Sequence, residues 1–122
     1  MRSVLLTLAI VAPAADALAQ SYEFVSAPHQ GLNRIYRVNR QTGEVGACQF
    51  GLKDGAVGVT ICYPAGEGAK GPAPGTAPGD FGLVASHHLS EAGIFRIDRQ
   101  SGEMSVCYVQ NDREVVCTSP AK

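Results

Sequence analysis

Ile35-Tyr36-Arg37-Val38-Asn39-Arg40-Gln41-Thr42-Gly43-Glu44 returns 59 positions later as Ile94-Phe95-Arg96-Ile97-Asp98-Arg99-Gln100-Ser101-Gly102-Glu103. Each copy runs from a β-branched and aromatic stretch into a polar one that ends in glycine, the pattern of strand, tight turn, strand. Asn39 or Asp98 can accept a backbone N–H two residues on, forming an Asx-turn. Gly43 or Gly102 can take the left-handed conformation that closes a four-residue hairpin loop on a type I turn. That loop sets Val38 opposite Val45 and Tyr36 opposite Ala47, and in the second copy Ile97 opposite Met104 and Phe95 opposite Val106. The alternate positions fall on the other face: Arg37 opposite Gly46, Ile35 opposite Cys48, Arg96 opposite Ser105 and Ile94 opposite Cys107. Large cations thus face small residues, which leaves room for each guanidinium to lie flat on the sheet.

The correspondence extends without a gap from Tyr22 to Cys48, which fall on Phe81 to Cys107, and about a third of these pairs are identical. Past it the second copy is four residues shorter, and Cys62 meets Cys117. The chain therefore reads as a duplicated unit. Four strands are expected in each copy: Tyr22–Ser26, Arg34–Asn39, Glu44–Phe50 and Val57–Tyr63, then Phe81–Ala85, Ile94–Asp98, Glu103–Val109 and Glu114–Thr118. Residues 64–80 are rich in glycine and proline and carry no large apolar side chain, so they read as a flexible tether spanning on the order of 20–25 Å.

Cys48, Cys62, Cys107 and Cys117 are the four cysteines. A hairpin centred on Gly55 puts Cys48 across from Cys62, and one centred on Asp112 puts Cys107 across from Cys117. Non-hydrogen-bonded antiparallel partners stand about 4.5 Å apart, within reach of a disulfide. Pairing inside each copy is favoured, although bridges between copies remain open among the three possible pairings. Zinc knuckles need C-x2–4-C pairs, whereas these gaps hold thirteen and nine residues.

The chain opens with Met1–Arg2, an apolar run from Val4 to Ala12, and Ala17-Leu18-Ala19. This is the order of a secretory signal peptide, with cleavage expected after Ala19. The apolar run falls short of the roughly 20 residues that span a bilayer. The expected organisation is a signal peptide over 1–19, a first β repeat over 20–63, a linker over 64–80 and a second repeat over 81–122. A periplasmic or secreted location follows from the leader and agrees with an even set of cysteines.

A copy of about 50 residues buries little by itself. The face carrying Tyr36, Val38, Val45, Ile61 and Tyr63 needs a cover, and the duplicate face carrying Phe95, Ile97, Met104, Val106 and Val116 is the simplest one. The expected fold class is all-β: two small antiparallel sheets of about four strands each, packed as a sandwich or barrel-like domain. A formal net charge of −1 with no basic cluster argues against nucleic acid or anionic lipid as a partner.

The run R-[VI]-[ND]-R-Q-[TS]-G-E-x-x-x-C, carried by Arg37 to Cys48 and Arg96 to Cys107, resembles a pattern in small exported proteins of Gram-negative bacteria. Its turn is also similar to the D-x-x-T-G-type strand-turn-strand of β-propeller blades, although two blades fall short of the four a propeller needs. Neither resemblance supplies catalytic residues.

Candidate chemistry is sparse. No G-x-S-x-G elbow, phosphate-cradling loop or converging carboxylate pair is present. His29 and His88 occupy equivalent positions with His87 adjacent, and loops that met could offer imidazoles to a divalent metal. Arg37 and Arg96, in mid-strand on the face expected to be less covered, suit an anionic or carboxylate-bearing envelope protein or glycan. The leading expectation is a non-enzymatic binding or structural module without a cofactor. The alternatives are a metal-binding envelope protein using the loop histidines, and a small hydrolase whose site leaves no motif.

Overall fold

A computed structural model describes residues 6–10 and 21–122. The leader reading thus falls largely outside the described residues. Eight strands follow in order: β1 (Tyr22–Ser26), β2 (Arg34–Asn39), β3 (Val45–Gly51), β4 (Val59–Tyr63), β5 (Phe81–Val84), β6 (Ile94–Asp98), β7 (Met104–Gln110) and β8 (Glu114–Cys117). They form two antiparallel four-stranded meanders, β1-β2-β3-β4 and β5-β6-β7-β8, which do not close into a barrel.

The hairpin chemistry explains the register. Asn39 Oδ1 accepts the Gln41 and Thr42 amides at 3.0 and 3.1 Å. Asp98 Oδ1 does the same for Gln100 and Ser101 at 2.9 and 3.3 Å. Gly43 and Gly102 close the two turns at φ of 77° and 79°, where a side chain would be strained. The pairs Tyr36–Ala47, Arg37–Gly46 and Ile35–Cys48 follow in the first sheet, and Phe95–Val106, Arg96–Ser105 and Ile94–Cys107 in the second. Both sheets thus share topology and register, the first three strands under the 59-residue displacement and the fourth under one of 55.

Which faces meet departs from expectation. We call the face with Tyr36, or Phe95, the front, and the face with Arg37, or Arg96, the back. In the first sheet the front is the core side: Tyr36, Val38, Val45, Ala47 and Tyr63 are buried. In the second sheet it is the back that turns inward, with Leu83, Ile94, Ser105, Cys107, Val115 and Cys117 buried. Phe95 and Met104, expected in the core, are 38% and 49% exposed, and Ile97 and Val106 are half-buried. Val116 alone of that expected set is buried. The sandwich therefore stacks front to back, with β5 over β1 and β2 and β8 over β3. Ile61 also leaves the expected core, being 37% exposed, because three consecutive residues of β4, Thr60 to Cys62, stand clear of the second sheet.

The segment 64–80 is not a free tether. Val115 N donates to Pro64 O, Gly66 N to Val115 O, and Cys117 N to Glu67 O. Residues 64–67 thus run alongside β8. Ala69 is wholly buried, and its carbonyl accepts the Val45 amide at 2.9 Å. The composition misled because small residues do the packing: a side chain at Gly68 would strike the Cys117 carbonyl. Only the stretch 72–78 is exposed throughout.

Ala69→Leu should therefore cost about 1–3 kcal/mol through overpacking, whereas Thr76→Leu should stay within about 0.5 kcal/mol. Chemical denaturation of both variants checks this. The turn carboxylate makes a second prediction. Burial pushes the Asp98 carboxyl up, but the hydrogen bonds from Gln100 and Ser101 outweigh it and hold the group below the usual carboxylate range. A depressed folded value means the charged form supports the fold. That support is fully present above the unfolded value of about 3.9, and it is lost as pH falls through the lower folded one. Asp98→Asn should remove this contribution, as Asn39 already lacks it. Its melting temperature relative to wild type should rise as pH is lowered from about 4 to 2, and a constant offset would refute the assignment.

Candidate functional site

Arg37 and Arg96 occupy matching positions yet meet opposite fates. Arg96 is half-buried on the inward-turned back of the second sheet. Its Nη1 donates to Gly43 O at 2.9 Å and its Nη2 to Gly68 O at 3.0 Å, with a longer contact to Ser105 Oγ at 3.4 Å. Burial lowers its pKa from the ordinary arginine value. Expected on the less covered face as a binding residue, Arg96 instead ties the second sheet to the first hairpin turn and to the linker, because its sheet turns that face inward.

Arg37 remains exposed on the outer back of the first sheet. A Cβ at Gly46 would lie 3.5 Å from Arg37 Nε, so the guanidinium stem passes flat over the glycine, as the register requires. Its Cζ sits 5.2 Å from the centroid of the Tyr22 ring, within cation–π range. Tyr22 in turn lies 6.4 Å from Phe24, centroid to centroid. Phe24 pairs with Arg37 and Ser26 with Ile35 across β1 and β2. The face continues through Ile35, 40% exposed, and Phe50, 52% exposed. A shallow concavity of about 220 Å³ lies between Ile35, Cys48, Phe50 and Thr60. The result is one cation set among exposed aromatic and aliphatic side chains, a composition typical of protein-binding surfaces.

The outer front of the second sheet forms a second such surface. Phe95, Met104 and Val106 line a concavity of about 350 Å³ with the tail residues Thr118 and Ala121. Alternation along the strands could not reveal this exposure, since both faces of each sheet are apolar.

The histidine loops do approach each other: Gln30 N donates to Leu89 O at 3.2 Å. His29 Nδ1 accepts the Gly31 amide at 3.0 Å, while His87 and His88 are exposed. Among the described residues no group of three or more His, Cys, Asp or Glu side chains is placed to hold a metal ion. A depression of about 550 Å³ lies between Tyr22, Thr42, Glu44, Lys70 and Pro72. Glu44 is the one carboxylate among its lining residues, so it offers no carboxylate pair.

The cysteines pair within each sheet, Cys48–Cys62 and Cys107–Cys117, on the back faces. Front-to-back stacking gives them different surroundings. Cys107 and Cys117 are buried between the sheets, whereas Cys62 is exposed and Cys48 half-buried on the outer face. No protein-family model, curated protein or solved structure matches this chain.

The burial difference has a direct consequence. Under native conditions a mild thiol reductant followed by alkylation should label Cys48 and Cys62 and spare Cys107 and Cys117, because exchange requires access to sulfur. Equal labelling of both pairs would show that the second bridge is not enclosed.

Proposed function

We propose that the chain is an exported, non-enzymatic binding module, duplicated from a single four-stranded unit, that acts in the periplasm or outside the cell. Two disulfides fit an oxidising compartment, and residues 1–19 carry the pattern of a cleaved leader. Among the described residues no helix is long and apolar enough to cross a membrane. The observation that carries the binding role is the outer back of the first sheet, where Tyr22 and Phe24 flank the exposed Arg37 and Ile35 and Phe50 continue the same exposed face. Exposed large apolar groups cost solubility, and a contiguous set around a polar anchor marks an interaction surface. Arg37 presents a planar fork of donors suited to a carboxylate, a carbonyl or another anionic group on the partner.

The test is photo-crosslinking in the native host. A photoreactive phenylalanine analogue at Phe24 or Phe50 should yield a discrete protein adduct identifiable by mass spectrometry, and the same probe at Thr76 should yield none. No adduct from either face position would sink the binding reading.

A further inference from the structure

The sheet–sheet interface inside this chain is heterologous: the front of one unit meets the back of the next. The same sequence correspondence places an unused front on the second sheet and an unused back on the first. Buried Tyr36, Val38, Val45 and Ala47 have as counterparts Phe95, Ile97, Met104 and Val106, which are exposed or half-buried on the outer front. Buried Leu83, Ile94 and Cys107 have as counterparts Phe24, Ile35 and Cys48 on the outer back. Taking the outer back of the first sheet as a binding surface, as above, we propose that its partner is a second copy of this chain, docked head to tail through the outer front of the second sheet.

Two contacts inside the chain show how specific the stacking is. Arg96 donates to Gly43 O, and the Phe81 ring packs on the same glycine, within 3.0 Å of where a Cβ would stand. The counterparts of Arg96 and Phe81 are Arg37 and Tyr22, adjacent on the outer back. The counterpart of Gly43 is Gly102, which has the same positive φ and open space within 4 Å of its missing Cβ. A neighbouring copy stacked in the same way brings its Arg37 to the Gly102 carbonyl and its Tyr22 onto the Gly102 turn. Polar anchors of the internal interface lack counterparts, the Gly68 carbonyl on Arg96 among them. Glu23, which accepts the Leu83 amide and pairs with Arg99 at 3.6 Å, corresponds to Gly82. Tyr36, whose hydroxyl donates to Ala92 O, corresponds to Phe95. The contact between chains is therefore weaker than the one within, and it is reversible on dilution. Since each copy offers one front and one back, the product is a ring or an open filament rather than a twofold dimer.

Sedimentation of the chain, purified with both disulfides formed, tests this. Wild type should show species at integer multiples of the chain mass as concentration rises to about 0.1–1 mM, where weak specific contacts populate. Ile35→Asp and Phe95→Asp should each weaken assembly by about thirty-fold or more, the loss expected of an interface anchor. Both side chains are partly exposed, so each variant should melt close to wild type. Mixed in equal amounts, the two variants should form a 1:1 heterodimer and nothing larger, because each retains the one face the other needs. Hydrogen exchange on the unmodified chain gives a readout free of substitutions: amides of β2 and of β6–β7 should lose protection together on dilution. A chain that stays monomeric throughout this range, or variants that fail to combine, overturns the inference. The binding reading then stands if the Phe24 probe captures a different protein, and falls if it captures none.

Discussion

Neither four-stranded sheet can shield its apolar residues alone, and the contact that covers them joins the front of one to the back of the other. Small meanders are marginal in water until a second layer covers one face. Tyr36, Val38 and Val45 from the first sheet and Ile94, Val115 and Cys107 from the second are the largest wholly buried side chains. Each aliphatic or aromatic one contributes about 1.5–3 kcal/mol. The polar groups caught in the seam are satisfied there. Tyr36 Oη reaches Ala92 O at 2.6 Å, and burial pushes its pKa up. Arg34 holds Gln49 Oε1 through Nε and Nη2 at 2.9 and 2.6 Å and lies over the Tyr63 ring. Among the described residues no buried side-chain nitrogen or oxygen lacks a partner.

What the sequence made legible was local and periodic. An Asx residue at the turn entry and a glycine at its exit determine a loop length, and loop length determines register. Register in turn places each cysteine opposite its partner. The facing of the sheets was not legible, because it depends on which of two apolar faces wins. Phe95, Ile97 and Val106 are as apolar as Ile94, Cys107 and Val109, so alternation alone is silent. Val115 and Val116 are consecutive and both buried, one on each face of β8. The packing of the linker is hidden for a related reason. Ala69, Gly66 and Gly68 look like flexible filler, yet small size is what allows backbone to run against β8 and β3.

Front-to-back stacking also explains why identical residues at matching positions do not share a role. A twofold arrangement would have treated Arg37 and Arg96 alike. Here one guanidinium is spent on carbonyls of the first turn and the linker, and the other stands among aromatic rings at the surface. Matching positions in the two sheets therefore share register but not exposure.

The two disulfides show the same divergence in energetic terms. Each closes a short hairpin, and a loop of this size contributes about 2–4 kcal/mol by restricting the unfolded chain. Cys107 and Cys117 add to that the burial of sulfur between the sheets, so their bridge is part of the core. Cys48 and Cys62 gain little burial, and β4 around them is exposed from Thr60 to Cys62. There the covalent link substitutes for packing: it holds the exposed end of the β3–β4 hairpin in register where few side chains from the opposing sheet can. Such a staple persists in an oxidising compartment, the kind of environment that two disulfides suggest. The same staple keeps Ile35, Cys48 and Phe50 presented on one flat outer face, which an unsupported edge hairpin would not maintain.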